Sequence, residues 1–453
     1  MPKNKNEKLE MKESKILEKI LDFGRKIIPR SLFKTAQPLY HFLLSITGAV
    51  IYGFPAKRLT VIGVTGTKGK SSTTEIINAI LESAGKKTAV ANTIRYKVAD
   101  KEWRNLFKMT LRGRFFTQNF LRKAVSAEVE YAIIEISSEG VRQFRHKFLG
   151  LDALVFTNLS PEHIESHGSY KNYVNAKLEI AKELEKTSKK NPAIIVNADD
   201  PEAYKFLELN IKNKIPYSID DIFGVKTDEN NSSFQLDKVV IHSKLGGMFN
   251  VYNMLGSIAC VKHFGISTEE SKKGIEKIDF IRGRMQKINA GQDFDVVVDY
   301  AHTKESLEAI YEAYNPRALS KENHLICILG NTGGGRDKWK RKVMAETADH
   351  YCSEIILTNE DPYDEDPIRI IDDMKAGIKN KPLEIELDRR KAIKLGIKKA
   401  FDFKRVSGNK KVAVLITGKG TDPYIMEAGG KKTPWDDASV VREELDNILD
   451  ISN

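Results

Sequence analysis

Cysteine is scarce: 453 residues contain three, Cys260, Cys327 and Cys352, and no pair has C-x-x-C spacing. That argues against a disulfide framework or a zinc ribbon and for a reducing cytoplasm. Long hydrophobic runs are missing too. The uncharged stretch "PLYHFLLSITGAVIYGFP", from Pro38 to Pro55, contains His41, Ser45 and Thr47. It falls short of the ~20 apolar residues a membrane-spanning helix requires. No basic region, apolar core and cleavage site open the chain, so export is not expected. Repeats and low-complexity tracts are also absent. The net charge is +11, but Lys is scattered among Glu and no basic run is interleaved with aromatics, so no nucleic-acid partner is expected.

What is there falls into three parts. Residues 1–58 read as a helical segment: "KNEKLEMKESKILEKILDFGRKIIPR" is a Lys-rich amphipathic helix candidate closed by Pro29. Residues 38–55 read as a helix packed on the body of the protein. Beside the basic flank, an interfacial helix in peripheral membrane contact is the alternative. From Leu59, β-branched runs alternate with longer amphipathic stretches, and "YAIIEIS", "ALVFTNLS" and "AIIVNADD" end in polar residues, as buried parallel strands do. A second set, "DVVVDYAHT", "HLICILGNTGGGRDK", "EIILTNEDP" and "VAVLITGKGTD", begins near Arg284. The expected fold is α/β. It has a central ATP-binding domain over 59–283 with a mostly parallel sheet, then a Rossmann-like α/β domain over 284–453.

"GVTGTKGKSSTTE", residues 63–75, stands between the strand-like "RLTVI" and the helix-like "IINAILESAG". Gly66 and Gly69 permit close backbone approach, so the amides of Gly66, Thr67, Lys68, Gly69, Lys70, Ser71 and Ser72 can surround a phosphate. Lys70 supplies charge to the terminal phosphates and Ser71 a hydroxyl for Mg²⁺. The common phosphate loop has Gly where this chain has Val64. In "IIEISSEG", Glu135 ends an apolar strand, where a carboxylate is costly unless paired or metal-bound, so it is expected to be a Mg²⁺ ligand. "TNLSPEHIESHGSYKNYVNAK" then gathers Asn158, His163, His167 and Lys177 after a strand.

Together with "VNADDP", "GMFNVYN", "GRM", "DYAHT", "GGGRDK" and "GKG", these segments resemble the Mur ligases from about residue 59 to 453, in order and at compatible spacing. Within the family they are most similar to UDP-N-acetylmuramoyl-tripeptide synthetases. The resemblance accounts for Val64, since the family loop reads TGTxGK(S/T). It implies an ADP-forming amide ligase of peptidoglycan precursor synthesis: ATP converts a carboxylate of UDP-MurNAc-L-Ala-D-Glu to an acyl phosphate, which the amine of a diamino acid attacks. It further implies that Lys70, Glu135, His163 and Lys177 are catalytic, with a pair of Mg²⁺ ions. Ser71 and Glu135 would hold one ion and His163 the other, and Lys177 matches a lysine that is carbamylated in several members. Asn253 matches an adenine-side residue. Arg284 and Asp299, with His302 of the same "DYAHT" element, match ATP contacts from the C-terminal domain.

The chain departs from the family at three places. The family carries an N-terminal domain that grips uridine diphosphate; with residues 1–58 alone before the ATP-binding part, a different mode of acceptor binding or a lipid-linked acceptor is expected. The family's Asp-Asn-Pro-Arg motif, whose Arg clamps the distal carboxylate of diaminopimelate, is Glu360, Asp361, Pro362, Tyr363 here. Acidic residues without that Arg favour a free cationic end, so lysine or ornithine is expected over diaminopimelate. Arg336 matches an α-carboxylate contact and Gly418 the family's first Gly, while Asp422 replaces the Glu that meets the distal amine. In place of the Thr-Thr-Pro acceptor segment stand Thr110 and, as further candidates, Arg112 or Arg114. The competing readings are a cyanophycin-, polyglutamate- or folylpolyglutamate-type ligase, and a non-catalytic ATP-binding regulator.

Overall fold

The apolar runs with polar ends become the strands of two parallel-rich sheets, and the site forms where their carboxyl ends face one another. The computed structural model describes residues 30–162, 164–315, 323–408 and 410–452. Its first sheet has eight strands: β1 (Thr60–Thr65), β2 (Thr88–Ala91), β3 (Arg95–Val98), β4 (Lys101–Arg104), β5 (Tyr131–Glu135), β6 (Ala153–Phe156), β7 (Ala193–Asn197) and β8 (Asn213–Tyr217). They lie in the order β4-β3-β2-β5-β1-β6-β7-β8. From β2 to β8 every pairing is parallel; β3 and β4 form an antiparallel edge. The strands at the centre are buried on both faces, which is why they read as unbroken apolar runs. Ile76, Ile77 and Ile80 of the helix Lys70–Ser83 pack one face with Val251 and Met254 of the helix Met248–His263. The other face is covered by the helices Arg114–Ser126 and Tyr170–Glu185. An antiparallel sheet of β9 (Phe223–Thr227), β10 (Ser232–Leu236) and β11 (Val239–Ser243) is appended.

The second sheet comprises β12 (Gln286–Lys287), β13 (Asp295–Val298), β14 (Asn323–Leu329), β15 (Glu354–Leu357), β16 (Leu383–Ile385) and β17 (Lys411–Ile416), ordered β12-β13-β17-β14-β15-β16. Only the β12 edge is antiparallel. A hairpin of β18 (Tyr424–Met426) and β19 (Lys432–Pro434) follows it. This is the α/β architecture expected from the sequence.

Two details differ from expectation. Cys327 in β14 and Cys352, just after the helix Lys340–Tyr351, form a disulfide, while Cys260 is free and buried. The pair is 25 residues apart, so no local spacing signals it; the β-α-β crossover brings the two together. Cysteine usage therefore no longer argues for a reducing compartment. Secondly, the helix Arg30–Ile51 continues through Pro38, which is exposed, so the carbonyl left without its helical partner can be hydrated.

That helix packs on the body of the protein, as expected. His41, Ser45, Gly48 and Ala49 recur at helical spacing on its buried face, and the Ser45 hydroxyl lies 2.8 Å from the carbonyl oxygen of Phe144. Leu39, Leu43, Val50 and Ile51 are more than half exposed on the rest of its surface. Among the described residues no helix is long and apolar enough to cross a membrane. The Lys-rich helix candidate before Pro29 lies outside the described residues.

Candidate active site

The loop after β1 can exist only with its glycines. Gly66 has φ +148° and Gly69 φ +80°. A Cβ at Gly66 would lie 1.9 Å from Thr157 Oγ1, and one at Gly69 2.2 Å from Asn253 Oδ1. Side-chain and backbone groups of the segment after β6 pin the loop. Thr67 N–H donates to the Asn158 carbonyl (2.8 Å), Lys68 N–H to Asn158 Oδ1 (2.9 Å), and Thr157 Oγ1 to the Lys68 carbonyl (2.7 Å). The helix Lys70–Ser83 starts at Gly69 without a side-chain cap, so its first-turn amides and dipole are available to an anion.

Around this turn the predicted residues converge. Ser71 Oγ donates to Glu135 Oε2 at 2.9 Å, and Thr93 N–H donates to the same oxygen at 2.9 Å. Lys70 Nζ donates to the Thr67 carbonyl at 2.9 Å; burial lowers its pKa, against the pull of Glu135 and Glu162. Lys177 is 1% exposed and donates to the Gly66 carbonyl at 2.7 Å, its ammonium over the Tyr173 ring. Burial, then the neighbouring Lys70, push its pKa well below the ordinary value.

The second sheet supplies the other wall. Arg284 Nη2 donates to Ser71 Oγ at 3.1 Å, and its guanidinium lies over the Tyr300 ring. Asp299, at the carboxyl end of β13, accepts from the amides of Met285 and Ala301, each at 2.6 Å; burial raises its pKa. His302 Nε2 lies 3.1 Å from Glu162 Oε1, and Glu162 also pairs with Lys68 at 3.2 Å. Between the walls is a cavity of about 720 Å³ whose lining includes Lys70, Ser71, Glu135, Arg284, Asp299 and Arg336. Its size suits a nucleotide with a second substrate.

These donors fit Mg-ATP: amides and Lys70 for phosphate, Ser71 and Glu135 as oxygen ligands. Among the described residues no three or more His, Cys, Asp or Glu form a metal cage.

Other predicted residues sit differently. His163 lies outside the described residues, although its neighbour Glu162 lines the cavity. His167 is 3.2 Å from Ser138 Oγ and packs edge-on to Tyr173, away from the cavity lining. Asn253 reaches the cavity, but its amide faces Asn250, Thr73 and the Gly69 backbone. Thr110 lines the cavity, 2.9 Å from Thr93 Oγ1. Arg112 is sandwiched between Phe107 and Phe116 and Arg114 donates to the Gln143 carbonyl; the two are a packing cation and a loop clamp rather than acceptor-facing groups. Gly418, at φ +103°, lets Glu360 approach: a Cβ there would be 2.4 Å from Glu360 Oε2.

The acidic residues of the amino-acid loop are not free. Asp361 pairs with Lys419 (2.8 Å) and Lys108, and accepts from Met426 N–H (2.8 Å). Asp422 pairs with Lys108 (2.9 Å) and Lys419 (3.4 Å). Lys108, Glu139, Arg145 and Tyr300, which sequence reasoning missed, also line the cavity. Tyr300 and Glu139 were within reach, beside Asp299 in "DYAHT" and after Glu135 in "IIEISSEG"; Lys108 and Arg145 carry no local signal.

Two family models match the chain: the Mur ligase middle domain over residues 64–261, and the Mur ligase glutamate ligase domain over 283–420. A UDP-N-acetylmuramoyl-L-alanyl-D-glutamate–2,6-diaminopimelate ligase from Syntrophomonas wolfei is 34% identical over 445 residues, covering 95% of this chain and 86% of the relative. A solved structure of a ligase with that same description has a TM-score of 0.57 at 27% identity, covering 86% of this chain and 79% of its own. Folylpolyglutamate synthase from Mycobacterium tuberculosis, at 13% identity, TM-score 0.65 and coverage of 85% and 96%, shares the fold. Relatives named for diaminopimelate overturn the expected preference for lysine or ornithine. The physical reason is the pairing of Asp361 and Asp422 with Lys108 and Lys419, which removes the acidic excess on which that expectation stood. The chain belongs to the Mur ligase family.

Proposed function

We propose that this protein joins diaminopimelate to UDP-MurNAc-L-Ala-D-Glu, or to a related muramoyl dipeptide, at the expense of ATP. The carrying observation is the convergence of Lys70, Ser71, Glu135 and Arg284 at one uncapped helix start inside a cavity shared by both sheets. A carboxylate is a poor electrophile. Attack of its oxygen on the γ-phosphorus expels ADP and leaves an acyl phosphate; the amine then attacks the carbonyl carbon, loses a proton, and phosphate departs with the C–O bond electrons. The protein's part is positioning and charge neutralisation.

Lys70 and the loop amides would hold the γ-phosphate, with Arg284 closing from the second sheet and Asp299 fixing the Met285 and Ala301 amides beside it. His302, tied to Glu162, would bring the ATP-facing end of the second sheet against the loop. Arg336 and Thr110 would meet the substrates where they line the cavity. Mg²⁺, when bound, supplies countercharge to the phosphates; Ser71 and Glu135 would hold one ion, His163 and a carbamylated Lys177 a second. The lowered pKa of Lys177 favours the neutral amine, which can add CO₂: an N–C bond forms, a proton leaves, and a cation becomes an oxygen ligand. Phosphate release that requires ATP, Mg²⁺, the muramoyl dipeptide and diaminopimelate together is the expected result. Release without the dipeptide would remove this reading, and unchanged turnover in CO₂-stripped buffer would remove the carbamate.

The exposed row Leu39, Leu43, Val50 and Ile51 supports peripheral contact with a lipid surface. Co-sedimentation with anionic vesicles that is lost in Leu43→Glu is expected; equal sedimentation of both proteins would contradict it.

A further inference from the structure

Lys108 stands on the loop between β4 and the helix Arg114–Ser126, with φ +49°, a left-handed conformation that is strained for a non-glycine residue. From there its side chain crosses to the second sheet's loops. Its ammonium contacts Asp361 and lies 2.9 Å from Asp422. Those two aspartates also share Lys419, which is fully buried and donates to the Tyr424 carbonyl at 2.6 Å. An ammonium has three donors, and the aspartates engage two. Lys108 also lines the cavity, as does Arg336.

Tyr363 occupies the position where the resemblance leads one to expect an arginine. The pocket's charges nonetheless balance. Asp361 and Asp422 are offset by Lys108 and Lys419, and Glu360 stands in the field of Arg389 and Lys340. Glu360 is 4% exposed; its Oε1 accepts from Thr332 Oγ1 (2.6 Å), and its Oε2 has no partner. A neutral pocket with the Lys108 ammonium at its cavity-facing edge suits a zwitterion. The far end of diaminopimelate, carrying ammonium and carboxylate, is a zwitterion; the far end of lysine is a cation.

We propose that Lys108 is a specificity residue for the incoming amino acid, cancelling with Lys419 the charge of Asp361 and Asp422 and offering its third N–H to the distal carboxylate. This rests on the diaminopimelate reading above. Because Lys108 comes from the first sheet and the aspartates from the second, the pocket is complete only when the two halves meet.

The test is steady-state kinetics of wild type, Lys108→Gln and Lys108→Arg with diaminopimelate and with L-lysine, at saturating ATP and acceptor. In Lys108→Gln the KM for diaminopimelate rises about tenfold or more, the worth of one charge-assisted hydrogen bond. Its kcat and the KM for ATP hold, and the ratio of kcat/KM for lysine over diaminopimelate rises because the Asp361–Asp422 pair, left with Lys419 alone, keeps one uncompensated negative charge. Lys108→Arg retains the wild-type preference. An unchanged KM for diaminopimelate, or an equal loss with both amino acids, would overturn the proposal. If Lys108→Gln does not fold, Asp422→Asn reads the same balance from the other side: lysine use falls relative to diaminopimelate, and a rise instead would overturn the proposal. Wild type that uses lysine and not diaminopimelate would overturn the amino-acid reading and this role with it, and shows separately in the wild-type assay.

Discussion

Among the described residues two lysines are wholly buried, and they are buried differently. Lys419 sits beneath the amino-acid pocket between Asp361, Asp422 and the Tyr424 carbonyl. Lys177 sits beneath the phosphate loop with the Gly66 carbonyl and the Tyr173 ring, and no carboxylate within ion-pair distance among the described residues. One charge is matched by the protein; the other awaits its match. The surroundings follow suit. Lys68, Lys70, Lys177 and Arg284 gather at the loop around Glu135 and Glu162, a positive excess suited to a polyanion. In the amino-acid pocket the signs cancel. Uncompensated charge marks where a ligand's charge belongs, and compensated charge marks what the fold needs for itself.

The largest effect expected from this contrast is at the loop. Lys70→Ala should lower kcat on the order of a thousandfold, as loss of a preorganised charge does, with melting close to wild type. A small drop in kcat would show that the positive excess does not serve the phosphate. At the other lysine the effect is on folding. Lys419→Met leaves Asp361 and Asp422 with Lys108 alone and should cost roughly 3 kcal/mol in denaturant unfolding.

Lys177→Met should do the opposite, adding about 1 kcal/mol to the stability of the nucleotide-free protein while turnover falls, because a desolvated amine without a carboxylate partner is removed. A destabilised Lys177→Met protein would break the comparison. His146 sharpens it at the smallest scale. This ring is 3% exposed, both its nitrogens lack partners, and burial holds its pKa down to about 3. Its unfolded pKa is near 6.5, so the unfolded chain takes up the proton first as pH falls. The cost is absent above about pH 6.5 and grows below it, reaching roughly 1 kcal/mol near pH 5.5. His146→Phe should flatten that part of the stability–pH curve; an unchanged curve would show that the ring is not the source.

How much of this could be read beforehand follows the same line. The strand–turn–helix of residues 60–83 is local: Gly66, Gly69, Lys70 and Ser71 mark the turn and helix start at fixed offsets, and Glu135 shows itself as a carboxylate ending an apolar strand. Arg284 and Asp299 were legible through family resemblance rather than local pattern. The amino-acid pocket was not, because its charge is set over long range. Asp361 looks unpaired in "NEDPYDEDP", and the cations that pair with it, Lys419 and Lys108, are 58 and 253 residues away. Arg112 likewise looks like an anion ligand until Phe107 and Phe116 close on its faces. The Cys327–Cys352 bond depends on a crossover that no spacing rule encodes.

The most direct test of the central contrast is a competition: ATP and UDP-MurNAc-L-Ala-D-Glu at saturation, equal diaminopimelate and L-lysine, products separated by mass. A charge-balanced pocket predicts that diaminopimelate product dominates. Dominance of the lysine product would contradict it, and would mean that Asp361 and Asp422 act as free acids despite their lysines.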